Sequence, residues 1–155
     1  MLSDRLVRMI EDHADELTRA LVHNLQTNPR TASYHKLPRE AIHERTYNVY
    51  KNLSLWLSSK SDENIEASYT DMGKQRFTEE IPLSEVVYAL ILTKYHLRDY
   101  IRFAGIVDSA IELYQEQELQ RLLGGFFDKA IYYTVRAYER QLVTQSAARG
   151  AKSAA

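Results

Sequence analysis

The chain of 155 residues contains no cysteine. That excludes disulfides, thiolate catalysis, cysteine-ligated zinc and iron–sulfur clusters. Glycine and proline are scarce, at five and three residues, and no glycine-rich phosphate loop, serine elbow or dinucleotide fingerprint can be traced. No apolar run approaches the length of a membrane span. The longest, Val86 to Thr93, is interrupted by Tyr88. The first ten residues include Asp4, Arg5 and Arg8 and lack the apolar centre of a signal peptide, so a cytoplasmic location is expected. Charge of one sign is missing too: 20 basic residues face 21 acidic ones, a formal net charge of -1. No global field draws the chain to nucleic acid or to an anionic membrane, and neither is expected as a partner. Lys94, Arg98 and Arg102 form a basic row, but Asp99 dilutes it.

What remains is helical periodicity in one chain of domain size, with 45% apolar residues to build a core. The spacing predicts a first helix over Ser3 to Gln26, with Leu6, Met9 or Ile10, His13, Leu17, Ala20, Leu21 and Leu25 inward, ended by Asn28-Pro29. A polar corner, Arg30 to Lys36, leads to Pro38, a favourable first-turn residue, and to a second helix ending near Ser58. Ser58 to Asp62 reads as a loop. A third helix carries Ile65, Tyr69, Met72 and Phe77, with Gly73 in its interior for a close crossing or a kink. The chain turns at Glu80-Ile81, and a fourth helix runs from Pro82 to Ala104, with Gly105 as its stop. A fifth, from Asp108 to Gln145, is capped by Asp108 or Ser109 and holds Gly124-Gly125 for a bend or a close crossing. The expected organisation is one all-α domain over residues 1–145, of five to six helices, with a disordered tail over residues 146–155.

The last two helices have more apolar surface than one buried stripe requires. On the fourth, Val86, Leu90, Thr93, Leu97 and Ile101 lie on one side, and Tyr88, Leu92, Tyr95 and Phe103 lie roughly opposite. On the fifth, Leu119, Leu122, Phe126, Ala130, Tyr133 and Ala137 form one stripe, and Leu113, Phe127, Ile131, Tyr138 and Leu142 a second. Either these helices are central in the monomer, or the second faces meet another chain. Under the second reading Tyr88, Leu92, Tyr95, Phe127, Ile131 and Tyr138 are interface residues of a homodimer.

Chemistry-bearing clusters are thin. The five histidines, His13, His23, His35, His43 and His96, form no metal pair one helical turn apart, and His43-Glu44 lacks the second histidine of a zinc-protease helix. His13 reads as a hydrogen-bonded, partly buried residue. His96, beside Leu92 and Tyr100 on the fourth helix, is the one candidate for a single axial haem ligand. Glu79-Glu80 reads as a solvated helix end. Glu112, Glu116 and Glu118 lack the Glu-x-x-His partner of a di-iron helix. No catalytic residue, metal site or required cofactor is expected.

Two corner segments carry a resemblance. Asn28-Pro29-Arg30-Thr31-x-x-Tyr34 precedes Leu37-Pro38, Arg45 and a helix ending Leu53-x-x-Trp56-Leu57. Gly73-x-x-Arg76 precedes Pro82-Leu83-Ser84-Glu85-Val86-Val87 and Leu90 through His96-Leu97. These resemble the N-terminal sensor domain of RsbR-type proteins, the RsbT co-antagonists of the bacterial stressosome, from roughly Leu17 to Leu142. The resemblance implies a globin-like bundle with a long C-terminal helix. It also implies dimerisation without haem, stress sensing and no catalytic residues. In that family the terminal helix leads into a STAS or histidine-kinase output; no such module follows Leu142 here, which leaves a stand-alone sensor acting through partners or a piece of a longer chain. Tyr34, Arg45, Gly73 and Arg76 are expected to hold the two corners. Arg45 and Arg76 would bind a carboxylate between helices or, as the alternative, an anionic ligand. The competing function is a haem-binding sensor globin using His96.

Overall fold

The computed structural model describes residues 4–58, 61–104 and 109–154. It is all-helical over those residues. The elements are α1 (Asp4–Asp12), α2 (Ala14–Thr27), a 3-10 segment (Pro29–Lys36), α3 (Arg39–Lys51), α4 (Leu53–Trp56), α5 (Asp62–Thr78), α6 (Leu83–Ala104) and α7 (Ala110–Ala154). No described helix is both long and apolar enough to cross a membrane. Ser3, the Ser59-Lys60 part of the expected loop, Gly105 and Asp108 lie outside the described residues. Ser109 accepts a hydrogen bond from the Glu112 amide at 3.2 Å and so caps the start of α7.

Two expected long helices are each divided. At His13 the backbone (φ −107°, ψ 19°) leaves the helical region, which separates α1 from α2. The break lets Leu6, Val7 and Ile10 face the same core as Ala14, Leu17 and Leu21. His13 itself is exposed, its Nδ1 at 2.8 Å from the Met9 carbonyl oxygen; it is not the partly buried residue that the stripe predicts, and Ala20 is exposed as well. At Asn52 (φ −117°, ψ 32°) a similar break separates α3 from α4. The corner after Pro29 is a 3-10 segment. Asn28 closes α2 and also caps the segment, its Oδ1 accepting from the Arg30 amide at 2.9 Å.

The second turn is held by backbone geometry. Glu80 has φ 59°, the left-handed region that favours glycine. The Ile81 amide donates to the Arg76 carbonyl at 3.1 Å and the Glu80 amide to that of Phe77 at 3.0 Å, the paired bonds of a helix C-terminal Schellman turn. The fully buried Ile81 then accepts a bond of 2.6 Å from the Tyr138 hydroxyl through its carbonyl. The turn is thereby tied to α7.

α7 is the central element. Its middle packs across α5 and α6 and buries Leu119, Leu123, Phe126, Phe127, Ala130 and Thr134. Both of its apolar stripes are thus covered within the chain between Leu119 and Tyr138, which decides for the central reading there. The helix continues past Gln145 to Ala154, through the segment expected to be a disordered tail. Ala147, Ala148 and Ala151 are strong helix formers and are exposed, so the extension follows from local preference.

The close crossing lies at Gly73 on α5. A Cβ there would overlap the Thr134 carbonyl oxygen and come within 2.9 Å of the Ala137 Cβ. Gly124 and Gly125 have no neighbour within 4 Å of such an atom, so neither serves a close crossing. Gly73→Ala is therefore expected to destabilise the fold by about 2 kcal/mol, because α5 and α7 must separate. Gly124→Ala is expected to stabilise it by up to about 1 kcal/mol through helix preference alone. Urea unfolding of the two variants checks both; equal shifts would contradict the assignment.

Candidate functional site

The two corner segments meet. The Arg76 side chain is 4% exposed. Its guanidinium stands 5.3 Å from the centre of the Tyr34 ring, and its Nη1 donates to both Glu79 carboxylate oxygens at 3.0 and 3.2 Å. The first corner also grips α6. The Ser33 amide and hydroxyl donate to the two oxygens of Glu85 at 2.9 and 2.6 Å, and Arg30 lies 5.4 Å over the Tyr88 ring. The Thr31 hydroxyl donates back to the Leu25 carbonyl at 2.7 Å. A buried charge is tolerable only when paired, and Glu79 supplies the pair. Glu79 does not behave as a free helix end, and Glu85 has a partner that its own stretch of sequence does not reveal.

Arg45 does different work. It leaves α3 and bridges to α5, Nη1 donating to the Ser68 carbonyl at 2.9 Å and Nη2 to Asp71 at 3.3 Å and to the Gln75 amide oxygen at 3.1 Å. Arg45 and Arg76 both meet a carboxylate of their own chain.

A groove runs beneath Arg45. On α3, Ala41, Arg45 and Asn48 fall on one side at helical spacing, with Asn52 just past its end and Glu44 and Val49 beside them, and Asn64, Ser68 and Gln75 answer from α5. Small and polar residues occupy positions that are usually apolar where two helices face one another, so these helices stand apart. The groove has two connected parts of about 540 and 500 Å³, which share Asn48, Trp56 and Ser68. Trp56 Nε1 donates to the Asn48 side-chain oxygen at 3.3 Å. Its ring meets Tyr69 and Phe126 edge-on, with centroids 6.4 and 5.9 Å away. The polar residues recur at helical spacing in the sequence, but only apolar recurrence signals a buried face.

His96 is half-buried beside the wholly buried Tyr50. The rings stack at 6.4 Å and 20°, and the Tyr50 hydroxyl lies 3.4 Å from Nδ1. Burial lowers the histidine pKa and outweighs the opposing pull of Asp99. Tyr50 stands beside the imidazole with its hydroxyl at Nδ1, and His96 lines neither part of the groove. Among the described residues no group of three His, Asp or Glu could hold a metal ion.

The six residues read as an interface divide. Phe127 is 1% exposed and Tyr138 8%, so both belong to the core of this chain, covered because α7 is central. Leu92 and Ile131 pack partly against that core. Tyr88 is half-buried under Arg30. Tyr95, at 54% exposed, faces outward. Phe103, from the same second stripe of α6, is 83% exposed.

The chain matches no protein-family model, no curated protein and no solved structure.

Replacing Glu79 by Gln keeps the shape and leaves Arg76 buried without a counter-charge. A loss of about 3 kcal/mol in urea unfolding is expected, and a loss below about 0.5 kcal/mol would place the pair at the surface. Tyrosine titration supplies a second measurement. Burial raises the pKa of Tyr34 to about 12, against the lowering effect of Arg76, and burial also raises Tyr50 and Tyr69. Between the ordinary tyrosine value of 10.0 and about 12, the unfolded chain has lost the Tyr34 proton and the folded chain has kept it. The contribution is present in full below the ordinary value and is lost as pH climbs to the raised one. Phenolate absorbance should leave these three rings un-ionised until alkaline unfolding sets in.

Proposed function

We propose that the chain is a non-enzymatic signal-sensing and interaction domain of the kind that opens RsbR-type stressosome proteins, working in the cytoplasm as a homodimer and acting on a signalling partner with a STAS or kinase-type output. The observation that carries this reading is the disposition of α7. Its 45 residues span about 68 Å at the α-helical rise of 1.5 Å per residue, yet the stretch it buries runs only from Leu119 to Tyr138. From Glu139 to Ser153 every position except Gln141 is exposed. A helix that threads the core and then leaves it moves as one body, which suits a lever from domain to partner.

Two further features support the reading. The segments that carry the RsbR resemblance are the ones that lock together through Tyr34, Arg76, Ser33 and Glu85, as parts of one architectural unit would. Nine large apolar side chains are exposed among the described residues, and eight of them lie on α6 and α7. Tyr95 and Phe103 lie on α6, and Ile111 and Tyr114 lie at the start of α7; exposed apolar side chains suit an association surface.

In solution the mass should lie near twice 18.0 kDa. Phe103→Glu, at an exposed site outside the core, should weaken self-association at least tenfold with helicity unchanged by circular dichroism. A strict monomer at high micromolar concentration by sedimentation equilibrium would sink the dimer reading.

A further inference from the structure

We infer that the groove between α3 and α5 is a ligand site for a small carboxylic acid with a flat apolar body, its carboxylate on Arg45 and its body against Trp56. This names the chemistry of the signal and so rests on the sensor reading above. Two helices present matched polar stripes to one another, and a groove with parts of about 540 and 500 Å³ lies between them, a size that suits a small organic molecule.

At the Arg45 end of the groove Arg45 and Gln75 offer N–H donors, and the exposed Glu44 carboxylate lies on the rim. The Arg45 guanidinium is held in place by the Ser68 carbonyl at 2.9 Å, while its Nη2 meets Asp71 and Gln75. Asp71 is 74% exposed and its contact is 3.3 Å long, so the pair is a weak surface interaction that an incoming carboxylate can replace. Asp71 already shows that the fork accepts a carboxylate from that side. The Gln75 side-chain amide lends its oxygen to Arg45, and its NH2 remains as a second donor beside the same position. Further along, the Asn64 side chain makes no hydrogen bond within the chain among the described residues, and Trp56 offers an aromatic surface anchored at Asn48.

Trp56 also gives the site an outlet. Its ring packs edge-on to Phe126 of α7 at 5.9 Å, so a ligand that shifts the indole presses on the helix that leaves the domain. Gly125, next to Phe126, has open space around it and gives α7 room to respond there.

The chain has one tryptophan, which lines both parts of the groove, so its fluorescence responds to a ligand there. Titration with phenylacetate should give a saturable change in emission, and neutral phenylacetamide should bind at least tenfold more weakly. Arg45→Gln should abolish the preference for the acid. Because Arg45 also bridges two helices, Gln75→Glu is the second variant. It is exposed on α5 and places a rival carboxylate beside Arg45, and it should weaken phenylacetate at least tenfold with helicity intact. Equal affinity for acid and amide, or no saturable response to phenylacetate, would overturn the site. Binding by a strictly monomeric protein would uphold the site while removing the dimer, so the two readings fail separately.

Discussion

The buried guanidinium of Arg76 is the constraint on which the arrangement of the corners depends. It sits at the end of α5 under the Tyr34 ring and against Glu79. A charge there is costly unless its partner stays in place, so the α5 terminus, the first corner and the start of α6 have one workable geometry. The left-handed Glu80 follows from it. The chain must reverse directly after the ion pair to bring Ile81 under the Tyr138 hydroxyl. Ser33 and Glu85 repeat the clamp one step further out. Helix directions are thus set by a few polar contacts between segments about fifty residues apart, while apolar burial supplies the bulk of the driving force.

With the corners held, α7 can be central. Gly73 lets α5 approach the Thr134 backbone, and the pairs Asp62–Lys129 and Glu66–Arg136 run along the rim of the same contact. The opposite relation holds between α3 and α5. There polar residues face each other, Arg45 crosses between them, and a groove results. A tight side and a loose side of one helix, α5, give the domain a rigid frame next to a deformable surface. Trp56 joins the two through Phe126.

Much of the fold was legible because helical periodicity is a local property. The inward residues Leu17, Leu21, Leu25, Ile65, Tyr69, Val86, Leu97 and Leu119 could be read from spacing, and all are buried. The division at His13 was not legible, since no glycine or proline marks it and the break serves contacts of α1 with α3 and α4. The second stripe of α7 was visible, but whether Phe127 and Tyr138 would face a partner or their own chain was not. An apolar stripe records that something covers it and carries no information about what does. Arg45 and Arg76 stood out by residue type near the corners. Their partners Glu79, Ser68, Asp71 and Gln75 did not, because each belongs to a stretch that reads as an ordinary polar helix end or face.

By itself the sequence determined an all-α chain, the places where its corners fall, and a terminal helix with apolar residues on two sides. Each of these rests on interactions within a few residues along the backbone. Only the tertiary structure decided that the two corners touch, that the middle of α7 is core while its ends are exposed, and that two polar stripes line a groove. Those outcomes depend on which distant side chain arrives at a given surface, and that is settled by the joint packing of all the helices.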